Sequence, residues 1–311
     1  MKRNNEVSSS VRQPQTEILR KAVLLSITLH YWRNRAEADR DKITADCDSA
    51  KLSTSKKLIV SEPYTALVHY LEASKRWCLE RSMMSGVRDG IFFAKRDMVP
   101  EFEAHFNEVN RQVQSHYIPL LVADLPRAKA QAMLPASEGG LGALYNEADY
   151  PTAEQLPGLF SIEHAWTAMS VPNELPEDVT KRECAKLEKL FTEAGESVVL
   201  SLRAGLLKIV TTATAALKPS ADGSRKIFSK STLEMFDKFF ETFKARNIMD
   251  DRELEKLVAD AKAATRGIKA AGTRGMAGDV KAQAAKQFEA VAASLSKLVT
   301  DMPTRKFDFS A

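Results

Sequence analysis

Two groups of basic residues are the part of this sequence best suited to a chemical task, which is binding phosphates. The first group combines aromatic and basic side chains and consists of Tyr31, Trp32, Arg33, Arg35, Lys56 and Lys57. Cations that follow a phosphate backbone release counterions, and aromatic rings stack on unpaired bases. The first group therefore favours single-stranded nucleic acid as a partner. An ordinary solvated surface is the alternative interpretation.

The second group is a basic stripe near the carboxyl end of the chain. Lys262, Arg266 and Lys269 are spaced four and three residues apart, so they share one face of a helix. Arg274 and Lys281 extend the run. Few aromatic residues lie nearby, so this stripe indicates phosphate contacts rather than base stacking. A solvated helix face is again the alternative.

Patterns typical of catalysis or of a bound cofactor are missing from the sequence. No P-loop, nucleophile elbow, His-Glu-x-x-His or Cys-x-x-Cys motif occurs. The adjacent residues Glu163 and His164 could serve as acid and base, but an ordinary surface or structural pair explains them more simply. We therefore predict a protein that is not an enzyme and that has no metal or cofactor.

Composition and cysteine usage indicate a soluble, intracellular protein. The chain has 311 residues, of which 44% are hydrophobic and 28% charged, so it can bury a real core. Cys47, Cys78 and Cys184 are widely separated and odd in number, which fits a reducing compartment. The polar start has no signal-peptide pattern, and the apolar run 22–25 is too short to span a bilayer. We expect a cytoplasmic protein without a membrane partner.

Charge is distributed unevenly along the chain. Residues 1–60 and residues 262–311 each carry a net charge of +5, whereas residues 126–180 carry −6. Basic ends and an acidic middle would suit an anionic partner at the ends. The same asymmetry would also suit two complementary surfaces of a self-associating protein.

Apolar periodicity predicts a mainly α-helical fold. One stripe runs through Phe102, Phe106, Val109, Val113, Tyr117 and Leu120. A second runs from Leu187 to Leu217, on a helix that is expected to cover roughly 40 residues. Asp250 is expected to cap the helix that carries Leu254. Successive amphipathic helices joined by short breaks predict an antiparallel helical bundle with long helical hairpins.

Three segments depart from the helical pattern. Apolar and polar residues alternate over 25–31, a strand period, but the flanks are rich in Glu, Arg, Lys and Ala and favour a helix. Residues 36–58 are polar and are expected to form a loop or a frayed helix. Asp89-Gly90 predicts a small β-hairpin.

The predicted organisation has five consecutive regions. They are a flexible arm (1–14), an N-terminal helical region (15–133), an irregular acidic segment rich in proline and glycine (134–180), a C-terminal helical bundle (181–300) and a tail (301–311). The irregular segment holds five of the twelve prolines, and a strand is expected within it near Phe160–Met169.

Several short motifs resemble an uncharacterised helical family of phage and bacterial proteins. They are Leu29-His30-Tyr31-Trp32-Arg33-Asn34-Arg35, Lys56-Lys57-Leu58-Ile59, the Asp89-Gly90 hairpin and Glu147-Ala148-Asp149-Tyr150-Pro151. Genes of that family often lie near those of MoxR-type AAA+ ATPases and von Willebrand A-domain proteins, or among phage DNA-metabolism genes. The resemblance implies an accessory role in a phage setting, hence in the host cell cytoplasm, and it supplies no catalytic residues.

Two functions follow as hypotheses. The first is a non-catalytic accessory protein that binds nucleic acid, in particular single-stranded DNA, during phage replication or recombination. The second is a helical adaptor or scaffold that forms homo-oligomers or docks on a partner AAA+ ATPase. The basic groups favour the first, and the long apolar stripe from Leu187 to Leu217 favours the second.

Overall fold

The computed structural model describes residues 16–39, 42, 54–171, 174–218, 228–271 and 278–300. These residues are mainly helical and include a small antiparallel sheet, which confirms the predicted fold class at that level. Arg274 and the predicted arm and tail lie outside the described residues. Contacts divide the chain into unit one, with residues 1–25, 80–98 and 166–311, and unit two, with residues 26–79 and 99–165.

The helices and strands follow one another along both units. The helices are α1 (Glu17–Lys21), α2 (Glu62–Arg81), α3 (Val99–Gln112), α4 (Ile118–Met133), α5 (Leu156–Leu159), α6 (Glu177–Leu217), α7 (Lys230–Arg246), α8 (Arg252–Ala271) and α9 (Gly278–Thr300). The strands are β1 (Ala22–His30), β2 (Arg35–Glu37), β3 (Ser55–Lys57), β4 (Met83–Met84), β5 (Ile91–Lys95) and β6 (Ser161–Thr167).

Four strands form one sheet, in the order β4-β5-β1-β6. The β4–β5 pair is antiparallel, with Met83 opposite Phe93, and Gly90 has a φ of 77° in the connecting turn. The hairpin predicted from Asp89-Gly90 and the strand expected near residues 160–169 are both present.

The helix favoured for residues 25–31 was a wrong prediction, because this segment belongs to β1. Ala22, Leu24, Leu25 and Ile27 are buried along the strand. A strand with a neighbour on each side gains ladder hydrogen bonds and buries side chains on both faces. These gains outweigh the helical preference of the flanking residues, so the alternation was the better signal.

The long helix α6 organises the apolar core of unit one. It has 41 residues, close to the roughly 40 predicted for the helix that carries the stripe from Leu187 to Leu217. It packs against α7 and α9, while α8 packs against α9. Leu202, Leu206 and Val210 are fully buried in this core. By length and composition α6 could also cross a membrane, since an 18-residue window has a mean hydropathy of 1.4. Core helices of soluble proteins often have the same property.

The turn between α7 and α8 makes several polar contacts with segments of unit one that are distant in sequence. Asp250 adopts a left-handed conformation, with a φ of 53°. Its carboxylate lies 2.8 Å from Lys95 Nζ and 3.0 Å from Lys21 Nζ. The same lysines donate to the backbone carbonyls of Asn247 and Met249. The turn is therefore held by cations from β5 and α1, which are distant in sequence.

Asp251, rather than Asp250, caps α8. Its Oδ1 accepts a hydrogen bond from the backbone N–H of Leu254 at 3.1 Å, which corrects the predicted cap by one residue. Its other oxygen lies 2.7 Å from Arg203 Nε, and Arg203 also donates to the carbonyl of Leu298. One arginine thus links α6 to the start of α8 and the end of α9.

A π-helical turn over Val113–Tyr117 joins α3 to α4 in unit two and shifts the apolar stripe. Phe102, Phe106, Val109 and Val113 are buried as predicted, but Leu120 is 46% exposed. After the π turn, the buried face of the helix is shifted by one position along the chain. Its buried residues are Ile118, Leu121, Leu125, Ala128 and Ala132. A π turn contains about one residue more than an α-helical turn, which explains the shift. It lies just before Pro119, which has no N–H to donate to the preceding turn.

Asn110 connects α3 to the backbone of β6. Its amide donates to the carbonyl of Ile162 and accepts from the N–H of Ile162, both at 3.0 Å. The side chain thus offers β6 the same donor and acceptor that a neighbouring strand would offer. This double hydrogen bond fixes the helix to the sheet in unit two.

The ion pairs of Asp250 predict a pH-dependent part of the stability. Lys95 and Lys21 lower the pKa of Asp250 below its ordinary value of 3.8. Because the pKa is lower in the folded protein, the pairs stabilise it above that value and are lost as the pH falls through the folded pKa. We expect the stability difference between the wild type and Asp250→Asn to be largest near neutral pH and to vanish in acid. Urea denaturation across this range measures it, and parallel curves for the two proteins would contradict it.

Candidate nucleic-acid interface

Arg35, Lys56 and Lys57 of the first basic group lie on a two-stranded antiparallel ribbon of unit two, and the other three residues precede the ribbon in the chain. Strand β2 pairs with β3, so Arg35 is opposite Lys57, Ala36 opposite Lys56 and Glu37 opposite Ser55. The sequence predicted a loop or a frayed helix over residues 36–58. This prediction is wrong for residues 36–37 and 55–57, which form strands. Residues 40, 41 and 43–53 are outside the described part. Pairing was hidden in the sequence because each strand has only three residues.

Asn34 sets the start of the ribbon, and sequence reasoning missed it. It is buried and has a φ of 48°, a conformation that asparagine tolerates better than most residues. Its amide donates to the carbonyl of Ile59 at 2.9 Å and accepts from the N–H of Ile59 at 2.8 Å. The only sequence signal was an asparagine between two arginines. Its contacts hold the flanking arginines at the surface.

The two aromatic residues of the first group differ in accessibility. Trp32 is partly buried and meets Tyr64 edge to face, with ring centroids 5.8 Å apart. Burial raises the pKa of Tyr64 to about 12, so its hydroxyl stays protonated and donates to the carbonyl of Trp32 at 2.7 Å. Tyr31 is 37% exposed. Tyr31 is therefore the aromatic ring of this group that is available for stacking.

Three cations of the first group are exposed and lack an ion-pair partner within the described part of the chain: Arg33, Arg35 and Lys57. Arg35 and Lys57 are directly opposite each other, so their side chains leave the same face of the ribbon. Like charges in this arrangement destabilise an antiparallel pair. An anion placed between them would remove that repulsion. We call Tyr31, Arg33, Arg35 and Lys57 the ribbon patch.

Lys56 points away from the ribbon patch. It is 9% exposed, and its Nζ lies 2.6 Å from Asp149 Oδ2 and 2.6 Å from the carbonyl of Leu144. Neighbouring residues of a strand face opposite sides, which explains why Lys57 is exposed and Lys56 is not. Lys56 is thus engaged within the protein and is removed from the set of predicted phosphate contacts.

The second basic group lies on α8 and α9 in unit one, and only part of it is unpaired. Lys269 Nζ lies 2.6 Å from Asp237, and Lys262 Nζ lies 5.3 Å from the centroid of the Phe240 ring. Arg266 is exposed and Lys281 is partly exposed, and neither has an ion pair among the described residues. The second group therefore presents fewer available cations than its sequence suggested.

The predicted acid–base candidates do not form a pair with each other. Glu163 lies 3.1 Å from His30, while His164 lies 2.8 Å from Glu103 and stacks on Phe106, with ring centroids 4.0 Å apart. Adjacent residues of β6 face opposite sides, so the two groups cannot act on one substrate atom. Among the described residues, no three histidine, cysteine or acidic side chains are grouped as a metal site would require.

Comparison with known proteins returned no match, whether among family models, curated proteins or solved structures. The resemblance to the phage and bacterial family therefore stays a prediction.

Two adjacent lysines provide a direct test of this geometry. Lys56→Ala leaves the carboxylate of Asp149 without its cation in a mostly buried position, which we expect to cost about 3 kcal/mol of unfolding free energy. Lys57→Ala removes an exposed charge opposite Arg35, so its effect should stay within about 0.5 kcal/mol and have a stabilising sign. Chemical denaturation of both variants checks this, and equal losses would refute the assigned strand orientation.

Proposed function

We propose that this protein is a non-catalytic accessory protein that binds single-stranded nucleic acid, as in phage-type DNA replication or recombination. The observation that carries the proposal is the opposed pair Arg35 and Lys57 on the exposed face of the ribbon. An uncharged residue at either exposed position would avoid this repulsion at little cost in stability. A phosphate between the two side chains converts the repulsion into two attractive contacts.

The neighbours of this pair support a single strand rather than a duplex. Tyr31 offers a ring on which an unpaired base could stack, and the exposed Arg33, two residues further along the chain, adds a third cation. Base stacking needs unpaired bases, which a duplex keeps inside. The predicted bias toward DNA rests on the phage resemblance alone.

Binding of a labelled oligonucleotide at increasing salt tests the proposal. Each phosphate contact with a single strand contributes about −0.7 to the slope of log K against log salt, so three cations predict a slope of about −2. The double variant Arg35→Ala/Lys57→Ala should weaken binding and reduce the slope to about −0.7. Fluorescence anisotropy with an oligothymidylate measures both values.

A matched control separates the patch from net charge. Lys208 and Lys256 are exposed and have no ion pair in the described residues, so Lys208→Ala/Lys256→Ala removes the same charge elsewhere. This control should bind like the wild type. Lack of binding at low salt, or equal losses in both double variants, would reject the proposal. A loss restricted to Lys262→Ala/Arg266→Ala would transfer the site to the second basic group.

A second candidate function rests on α6. We infer that α6 to α9 form an antiparallel bundle of helical hairpins that serves as a scaffold, either as a homo-oligomer or docked on an AAA+ ATPase. The supporting observation is that only 28% of the apolar 18-residue window of α6 is buried within the chain. Val199, Leu200 and Leu207 are only partly buried, and apolar area of this kind on a helix can contribute to an interface.

Light scattering of the purified full chain tests the self-assembling form of this scaffold. We expect a mass that is a multiple of the 34.5 kDa chain and that falls on dilution. A monodisperse monomer at high concentration would exclude homo-oligomers. Salt should leave this association largely unchanged because apolar contacts are not screened.

A further inference from the structure

Arg246, the last residue of α7, has no oxygen acceptor for its guanidinium among the described residues. It is partly buried, and its Nε donates to the thioether sulfur of Met83 at 3.3 Å, a weak acceptor. No carboxylate or carbonyl in the described residues accepts from its remaining N–H groups. Burial alone lowers the pKa of Arg246, because no nearby anion offsets the loss of water.

Two other arginines of unit one, the partly buried Arg203 and the exposed Arg96, have several oxygen acceptors each. Arg203 donates to Asp251, to Glu253 and to the carbonyl of Leu298. Arg96 donates to three backbone carbonyls of the segment 19–22. A buried cation without an acceptor costs free energy, so such groups are normally paired. The helix C-terminus offers Arg246 only a partial negative charge.

A cleft of about 250 Å³ lies against Arg246. It is lined by Glu80, Ile209, Met235, Lys238, Phe239, Thr242 and Arg246. Glu80 lies 2.6 Å from Lys238 and neutralises it, and the hydroxyl of Thr242 donates to the backbone of α7. Arg246 is therefore the uncompensated charge of the cleft, and Ile209, Met235 and Phe239 form its apolar wall.

The geometry points to this cleft as a binding site for a small aliphatic carboxylate, held by Arg246 through its carboxylate and by Ile209, Met235 and Phe239 through its chain. The planar guanidinium matches a carboxylate with two parallel hydrogen bonds. The volume lies below the roughly 300 Å³ at which pockets for drug-sized ligands begin, so a nucleotide would not fit. This site is independent of the ribbon patch, which belongs to unit two.

Hexanoate is a suitable probe, with hexan-1-ol and hexylammonium as ligands that share its chain. We expect saturable binding of hexanoate with a Kd on the order of 1 mM or tighter, and binding of both controls at least tenfold weaker. Isothermal titration calorimetry on the full chain measures these values. Equal binding of the alcohol, or no saturation by hexanoate at tens of millimolar, would overturn the proposal.

Methyl NMR of ¹³C-labelled methionines locates the site. Met235 and Met83 should shift with hexanoate because they touch the cleft or Arg246, whereas the exposed Met133 of unit two should not. Shifts confined to other methionines would place the ligand elsewhere and reject the assignment.

Substitution of Arg246 separates binding from stability. Arg246→Met removes the charge and keeps most of the volume, so hexanoate binding should fall at least tenfold while the melting temperature stays equal or rises. Arg246→Lys should weaken binding several-fold, because lysine lacks the planar fork. Unchanged affinity in Arg246→Met would overturn the proposal. The ligand series on the wild type remains decisive if a variant fails to fold.

Discussion

The turn between α7 and α8 holds one aspartate between two lysines, and several polar contacts between distant segments of unit one meet there. Asp250 adopts an unusual backbone conformation that its ion pairs with Lys21 and Lys95 maintain. The next residue caps α8 and binds Arg203 of α6. Apolar burial supplies most of the folding free energy, but it is not directional. The polar contacts at this turn select which segments meet, and so they fix the arrangement in which the core is buried.

Both proposed binding sites are inferred from cations that have no ion-pair partner within the described part of the chain. Lys56 and Lys269 looked available in the sequence, yet each has a carboxylate partner. Arg35, Lys57 and Arg246 have none among the described residues. Arg35 and Lys57 repel each other across the ribbon, and Arg246 is partly buried without an anion in the described structure, so each arrangement carries an energetic penalty that an anionic ligand could remove. The two proposed sites follow from this single criterion in different units.

Long periodic features were predictable from the sequence. The stripe along α6 and the Asp89-Gly90 hairpin depend on local spacing and turn residues, and both are present. Strand β1 was misread because its partners come from distant segments, which a local pattern does not contain. The π turn before Pro119 was equally hidden, since one extra residue in a helix leaves no separate motif.

The candidate sites were harder to predict for a similar reason. Two consecutive lysines look identical in sequence, and only the pairing of β2 with β3 shows that Lys57 is exposed and Lys56 is not. Arg246 follows an ordinary amphipathic pattern, and its lack of partners depends on the tertiary surroundings.

The double hydrogen bond between Asn110 and β6 also limits pairing between molecules. By occupying both backbone groups of Ile162 in the edge strand β6, it denies them to a strand from another molecule. One amide thereby protects the folded chain from edge-to-edge aggregation at that point.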